Sequence, residues 1–153
     1  MRAARAAALV LAAPLAAQCT AAEAQSAVYD ANCAICHQAA GAGVSGSFPR
    51  LAGRAGALAA LPAGRNLMIL AALNGMTGKL QADGQSIMGL MPSFGALSDA
   101  EISEALNYVA HLEGKTPRRF TPAEVAAARA RPALSPSEVN ALARDPVLAR
   151  AAP

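Results

Sequence analysis

The chain has 153 residues, of which 13 are Lys or Arg and 10 are Asp or Glu, giving a formal net charge of +3 at pH 7; this length fits one domain of ordinary size. No run of basic residues is interleaved with aromatic residues, so the sequence gives no support for nucleic-acid binding. Hydrophobic residues make up 54% of the chain, but much of this is alanine and does not indicate a membrane protein.

The N-terminus has the pattern of a secretory signal peptide. Two arginines precede the apolar run AAALVLAAPLAA, and an A-x-A triplet of small residues ends at Ala24. The apolar run is far shorter than the ~20 residues of a membrane span. We therefore expect residues 1–24 to be removed and the mature chain to have no transmembrane segment. A glutamine precedes Cys19, where a lipidated cysteine normally follows a small residue, so a lipid anchor is disfavoured.

Residues 25–115 are expected to form the folded domain, and helical patterns dominate them. β-branched residues are scarce, and no stretch is expected to alternate apolar and polar residues over the length of a strand. Ser26 can cap a first helix, which should run through Tyr29 and Cys33 towards His37.

Two further helices are predicted in this domain. The segment RNLMILAALNG, residues 65–75, is a compact apolar helix that ends at Asn74-Gly75. In the segment LSDAEISEALNYVAHLEG, Ser98 stands three residues before Glu101, which is a capping box. Apolar residues then recur at helical spacing up to Gly114.

Between these two helices, residues 76–96 read MTGKLQADGQSIMGLMPSFGA. The segment is rich in glycine and contains Met76, Met88 and Met91. We expect it to be an irregular loop without secondary structure of its own. Loops of this length inside a compact domain are usually functional.

The C-terminal segment, residues 116–153, carries six Arg against three acidic residues, whereas residues 25–115 carry five Lys or Arg against six acids. It contains two related stretches, TPAEVAAARA from Thr121 and SPSEVNALAR from Ser135. Each has Thr or Ser at the N-cap, Pro at the first helical position and Glu two residues later, so each should begin a short helix. A helical wrap on the domain surface is the favoured interpretation, and a partner-docking arm is the alternative.

The stretch CAICH places Cys33, Cys36 and His37 within five positions. A structural zinc site needs four ligands, and the mature chain would offer two cysteines and the histidines His37 and His111. A redox thiol pair is expected at a helix N-terminus within a βαβ unit, which is not predicted here; a plain disulfide is a further alternative. The same spacing is the signature of covalent haem attachment, in which both thiols bind vinyl groups and the histidine binds iron.

Residues 26–114 resemble the class I c-type cytochromes of bacteria. The resemblance is carried by CAICH, by FPRLAG at residues 48–53 and by GLMPSFGALSDAEISEALNYV at residues 89–109. It implies an all-α fold of the small cytochrome c type, with three main helices around one covalent haem c per chain. The domain would then be residues 25–115, followed by a short helical C-terminal extension, residues 116–153.

The resemblance also implies roles for single residues. Cys33 and Cys36 would hold the haem, and His37 and Met91 would be the axial ligands of its iron. The Pro49 carbonyl would accept a hydrogen bond from His37 Nδ1. Arg50 would lie near a haem propionate, and Tyr29 would pack against Tyr108 where the first and last helices cross. Three other residues compete with Met91 as the second axial ligand: Met88, Met76 and His111.

A haem iron with both axial positions filled favours electron transfer over catalysis. We therefore expect a periplasmic mono-haem electron carrier that is not an enzyme, with redox proteins such as a dehydrogenase or an oxidase as partners. One alternative is a cytochrome subunit docked tightly on a periplasmic dehydrogenase. The other is a haem enzyme or gas sensor in which the methionine detaches from the iron.

Overall fold

The computed structural model describes residues 26–113 and 117–151. The expectations for residues 1–24, for Cys19 and for a helix end at Gly114 lie outside these ranges. Within the described ranges, no helix is long and apolar enough to cross a membrane. The elements in chain order are α1 Ala27–Asn32, α2 Ala34–His37, a 3₁₀ turn Ala39–Gly41, α3 Arg54–Ala59, α4 Pro62–Asn74, β1 Met76–Ala82, β2 Gln85–Met91, α5 Asp99–His111, α6 Pro122–Arg129, α7 Pro136–Leu142 and α8 Pro146–Ala151.

The predicted capping signals are confirmed. The Ser26 side chain accepts a hydrogen bond from the Tyr29 backbone at the start of α1. Complete capping boxes begin α5, α6 and α7, and Pro occupies the first turn of α6 and of α7. Helix α4 begins at Pro62, three residues before the predicted start, and Gly75 caps its end with a φ of 77°. Local sequence chemistry thus fixes where these helices begin and end.

The first predicted helix is broken at Cys33 into α1 and α2. The backbone N–H of Cys33 donates to Tyr29 O, and the Cys33 carbonyl accepts from His37 N, so this residue ends one helix and caps the next. The break separates Cys33 from the regular part of α1 and lets α2 present Cys36 and His37 on a single short turn.

The segment predicted to be an irregular loop contains an antiparallel hairpin, so the all-α expectation is wrong here. Strands β1 and β2 pair from Met76 with Met91 to Ala82 with Gln85. The turn residues Asp83 and Gly84 have φ values of 51° and 71°, and Asp-Gly with positive φ at both positions is a strong hairpin signal. Exposure alternates along β1, as a strand with one buried face requires.

The main hydrophobic core lies where α1 crosses α5. Tyr29 is fully buried, and its ring centroid lies 4.7 Å from that of Tyr108. Ile102 and Val109 of α5 belong to the same cluster, and so do Phe120 and Val125 of the extension. The extension therefore packs as part of the core.

A buried arginine anchors the start of the extension. Arg65 of α4 forms an ion pair with Glu124 at 3.0 Å and donates to the carbonyls of Arg118 and Arg119. Its guanidinium lies 3.9 Å from the centroid of the Phe120 ring. One side chain thereby holds the segment that leads into α6 and the first turn of α6 itself.

Candidate functional site

A cleft runs between α2, α4 and the inner face of the β1–β2 hairpin. Its two adjoining lobes hold about 1100 Å³ and 1040 Å³ of empty space, part of which is open to solvent. Its walls are almost entirely apolar. The residues shared by both lobes are Cys33, His37, Pro49, Met76, Leu80, Met91 and Phe94.

Cys33 and Cys36 both lie half-buried at this cleft. Burial, with a smaller contribution from Cys36, raises the pKa of the Cys33 thiol to about 11. Reactive thiols are found where the pKa is lowered, because the thiolate is the nucleophile. The surroundings of Cys33 are therefore the opposite of those in a thiol oxidoreductase, which counts against that alternative.

His37 is held in one orientation by the loop that follows α2. Its side chain is 8% exposed, and its Nδ1 lies 2.9 Å from Pro49 O. Because a carbonyl oxygen can only accept, this hydrogen bond requires the proton to be on Nδ1. Burial lowers the pKa of His37, outweighing the opposite effect of the Pro49 hydrogen bond. The imidazole is thus neutral, with the Nε2 lone pair available to bind a metal.

The hairpin register separates the methionines into two groups. Met76 and Met91 are cross-strand partners and line both lobes of the cleft, and Met68 of α4 lines one. Met88 faces the opposite side of the hairpin, beside Lys79, and is 74% exposed. Successive strand residues point to opposite faces, so the register that turns Met91 towards the cleft turns Met88 away. Met76, the weaker competitor in the sequence, is here a better placed thioether than Met88.

A pair of glycines leaves the middle of the cleft wall without side chains. Gly78 and Gly89 are cross-strand partners between the Met76–Met91 pair and the Leu80–Ile87 pair. Both line the cleft. A flat cofactor can therefore approach the backbone of the hairpin closely at Gly89, while the Asn140 carboxamide lies against Gly78.

Two arginines near the cleft have different surroundings. Arg50, the residue expected near a propionate, forms ion pairs with Glu113 at 3.2 Å and with Asp83 at 3.5 Å, and it does not line the cleft. Arg54, the first residue of α3, does line the cleft, and it donates to Gln81 O at 3.2 Å. Burial lowers the pKa of Arg54. Arg54 is therefore a cationic side chain that lines the cleft, and the sequence interpretation had not singled it out.

His111 lies at the end of α5, away from the cleft. Its Nδ1 is 2.6 Å from Asn107 O, one turn earlier in the helix. It lines neither lobe. The geometry of the described residues therefore does not bring His37 and His111 together as two ligands of one site.

Comparison with known proteins agrees with this site. Residues 21–113 match the family model described as Cytochrome c. A cytochrome c-552 from one strain of Thermus thermophilus is 39% identical over 125 residues, covering 78% of this chain and 84% of that protein. A second cytochrome c-552 of Thermus thermophilus is 40% identical over 116 residues, covering 72% of this chain and 88% of that protein.

The chain belongs to the cytochrome c family. Its cofactor is haem c, and Cys33, Cys36 and His37 fit the covalent attachment motif of this family. The predicted family and cofactor are thus confirmed, and the protein is an electron-carrying cytochrome c with a small helical fold. The residues present fit the cofactor, since two cysteines, a neutral imidazole, inward-facing thioethers and a bare backbone face converge on one apolar cleft.

The extension supplies cleft residues that local sequence patterns could not reveal. Asn140 of α7, Ala143 just after α7 and Leu148 of α8 line the cleft. Their contribution depends on how the extension folds back over the hairpin. The only signals in the sequence were the two helix starts at Thr121 and Ser135, which give helix positions but not their packing partners.

Proposed function

We propose that this cytochrome is a periplasmic carrier of single electrons whose haem iron is bound by His37 and Met91. The observation that supports the ligand pair is the shared cleft: His37 enters from α2, and Met91 enters from the end of β2. When bound, haem c supplies a one-electron iron couple, and a His/Met pair raises its reduction potential.

The protein residues have distinct tasks in this proposal. The Pro49 carbonyl fixes the proton on His37 Nδ1 and so orients Nε2 towards the cleft. Apolar walls exclude water, which favours the less charged, reduced state of the site. Arg54 is proposed to face a haem propionate, a role in which it replaces Arg50.

A partner protein is proposed to approach at the mouth of the cleft. Ile35, the second residue between the cysteines, is 82% exposed, and Leu90 is 69% exposed. Both lie on the rim together with Phe48. An apolar rim of this kind suits transient contact with another redox protein, because such contacts desolvate easily and need few fixed charges. The periplasmic location is supported by the N-terminal sequence and can be tested by finding a mature protein that begins at Gln25 in that compartment.

Three methionine variants of the secreted holoprotein test the ligand assignment. Met91→Ala should abolish the weak far-red absorption band of a thioether–iron bond and lower the reduction potential. Met88→Ala, at an outward-facing position in the same strand, should leave both unchanged. The third variant is Met76→Ala. In all three variants the haem should resist extraction with acid-acetone, because none of them changes the attachment cysteines.

The Met76→Ala variant separates the two inward-facing thioethers of the hairpin. If the band survives in Met91→Ala and is lost in Met76→Ala, the ligand assignment is wrong. Haem that is removed by extraction from the unsubstituted protein would contradict covalent attachment through Cys33 and Cys36.

A further inference from the structure

The C-terminal extension inserts one buried polar side chain between itself and the hairpin. Asn140 lies on α7, next to the fully buried Val139, and is itself only 2% exposed. Its Nδ2 donates to Lys79 O in β1 at 3.2 Å. Among the described residues, strand β1 pairs only with β2, so Asn140 satisfies a carbonyl at the edge of the hairpin.

The hairpin is shaped to receive this side chain. A Cβ atom at Gly78 would lie 2.8 Å from Asn140 Nδ2, which is closer than two such atoms can approach. Gly78 also has a φ of 122°, a conformation that favours glycine. Gly78, the residue before Lys79, therefore leaves room for the Asn140 carboxamide at the side of the cleft.

The same part of the extension packs behind Met91. Val139 and Leu148 form a buried cluster with Leu67, Leu70 and Ala71, and the side chains of Met76 and Met91 pack against it. Asn140 itself lines the cleft alongside Met91. The extension thus packs in one cluster with the side chains of the Met76–Met91 pair.

The extension also holds the chain on the other side of Met91. Arg129, at the end of α6, donates to the carbonyls of Gly95 and Leu97 at 2.6 Å and 2.8 Å, and its Nε lies 2.8 Å from Asp99 Oδ1. The segment that carries Met91 is therefore fixed by the extension both before and after this residue.

We propose that Asn140 is a positioning residue for Met91, acting through its hydrogen bond to Lys79 and the register of the hairpin. The hydrogen bond keeps β1 against α7, and the β1–β2 ladder transmits this restraint to Met91 as the cross-strand partner of Met76. The inference rests on Met91 being the iron ligand, which the Met91→Ala variant tests separately. The role of the extension is then to keep the thioether in place against competing ligands.

The test measures how readily imidazole, added to the ferric holoprotein, replaces the thioether. Asn140→Leu keeps most of the buried volume but removes the donor, and Asn140→Ala removes the donor without any risk of a clash. Both should increase the imidazole association rate by about threefold to tenfold, the factor that one lost hydrogen bond represents. Both should also weaken the far-red band and increase amide exchange in β1.

Val125→Ala is the matched control. Val125 is a fully buried residue of α6 in the main core, so its truncation weakens core packing while the Asn140 contact to Lys79 and the Arg129 contacts to Gly95 and Leu97 remain. This variant should unfold more easily and yet bind imidazole at the unsubstituted rate. The proposal is overturned if Val125→Ala binds imidazole as fast as the Asn140 variants do. It is also overturned if both Asn140 variants bind imidazole at the rate of the unsubstituted protein. A far-red band that survives in Met91→Ala would instead overturn the ligand assignment on which it rests.

Discussion

At the scale of single residues, Tyr29 shows how a buried polar group stabilises the helix crossing. Its hydroxyl donates to Gln38 O at 2.7 Å, and the side chain is 0% exposed. Gln38 O also accepts from Gly41 N, so it keeps one partner if the hydroxyl is lost. We therefore expect Tyr29→Phe to lower the free energy of unfolding by about 0.5–1.5 kcal/mol, as measured by guanidinium denaturation of the holoprotein.

This difference should depend on pH. Burial is the main cause that raises the pKa of Tyr29 to about 12, above its ordinary value of about 10. A group with a raised pKa stabilises the folded state below its unfolded pKa, and that stability is lost as pH rises through the folded value. The advantage of Tyr over Phe should therefore disappear between about pH 10 and pH 12. A constant difference across this range would contradict the prediction.

Single residues also show which parts of the site the sequence can predict. Cys33, Cys36 and His37 were predictable because attachment chemistry fixes their spacing within one helical turn. The outward orientation of Met88 was not, because it depends on which face of a strand is buried, and the strand itself was missed. Arg54 and Asn140 reach the cleft only through tertiary packing, for which the sequence has no local signal.

At the scale of elements, two capping boxes with nearly the same sequence have different surroundings. Glu124 lies in the first turn of α6 and, in addition to its bond within the Thr121 cap, accepts hydrogen bonds from Arg65 and Arg118. Burial alone would raise the pKa of Glu124, but the hydrogen bonds from Arg118 and Arg65 outweigh it and hold the value at about 2. Glu138 lies in the first turn of α7, and among the described residues its carboxylate bonds only within its own box, to Ser135.

We expect Glu124→Gln to destabilise the holoprotein by about 2 kcal/mol at neutral pH, because it leaves the buried Arg65 without its counter-charge. A depressed pKa contributes stability above the unfolded value, and this is lost as pH falls through the folded value. The difference between Glu124→Gln and the unsubstituted protein should thus shrink from about pH 4.3 to about pH 2. Chemical denaturation at several pH values measures this.

Glu138→Gln is the control for loss of a capping carboxylate alone. Its effect should be clearly smaller, since the side chain pairs with no cation among the described residues. Equal losses in the two variants would show that the ion pair with Arg65 adds nothing to the cap.

The hairpin is the element that the sequence interpretation missed, although signals were present. Asp83-Gly84 is a favoured two-residue turn, and apolar residues alternate with polar ones from Met76 to Ala82. Glycines at 78, 84 and 89 and the scarcity of β-branched residues concealed the pattern. By contrast, helices α5, α6 and α7 were predicted well, because a capping box is a local arrangement that tertiary contacts need not create.

At the scale of the whole molecule, residues of two hydrophobic clusters line the cofactor cleft. One contains the crossing of α1 and α5, the other contains Val139 and Leu148, and α4 contributes residues to both. Leu58 packs against both clusters and also lines the cleft. A domain of this size buries only about 60–70% of the surface that its unfolded chain exposes, so the apolar walls of the cleft are a large part of its potential core.

We therefore expect the chain made without haem attachment to lack a cooperative unfolding transition, because the cleft walls would face water instead of the cofactor. Circular dichroism on heating should show a gradual change for this chain and a sharp one for the holoprotein. Amide exchange should be fastest in β1, β2 and α7, whose contacts meet around the cleft, and slowest at the α1–α5 crossing. As a control, holoprotein that is unfolded in denaturant and diluted must recover its spectrum, which shows that the chain refolds once haem is attached. A cooperative transition of the haem-free chain near the temperature of the holoprotein would show that the two clusters are stable without the cofactor between them.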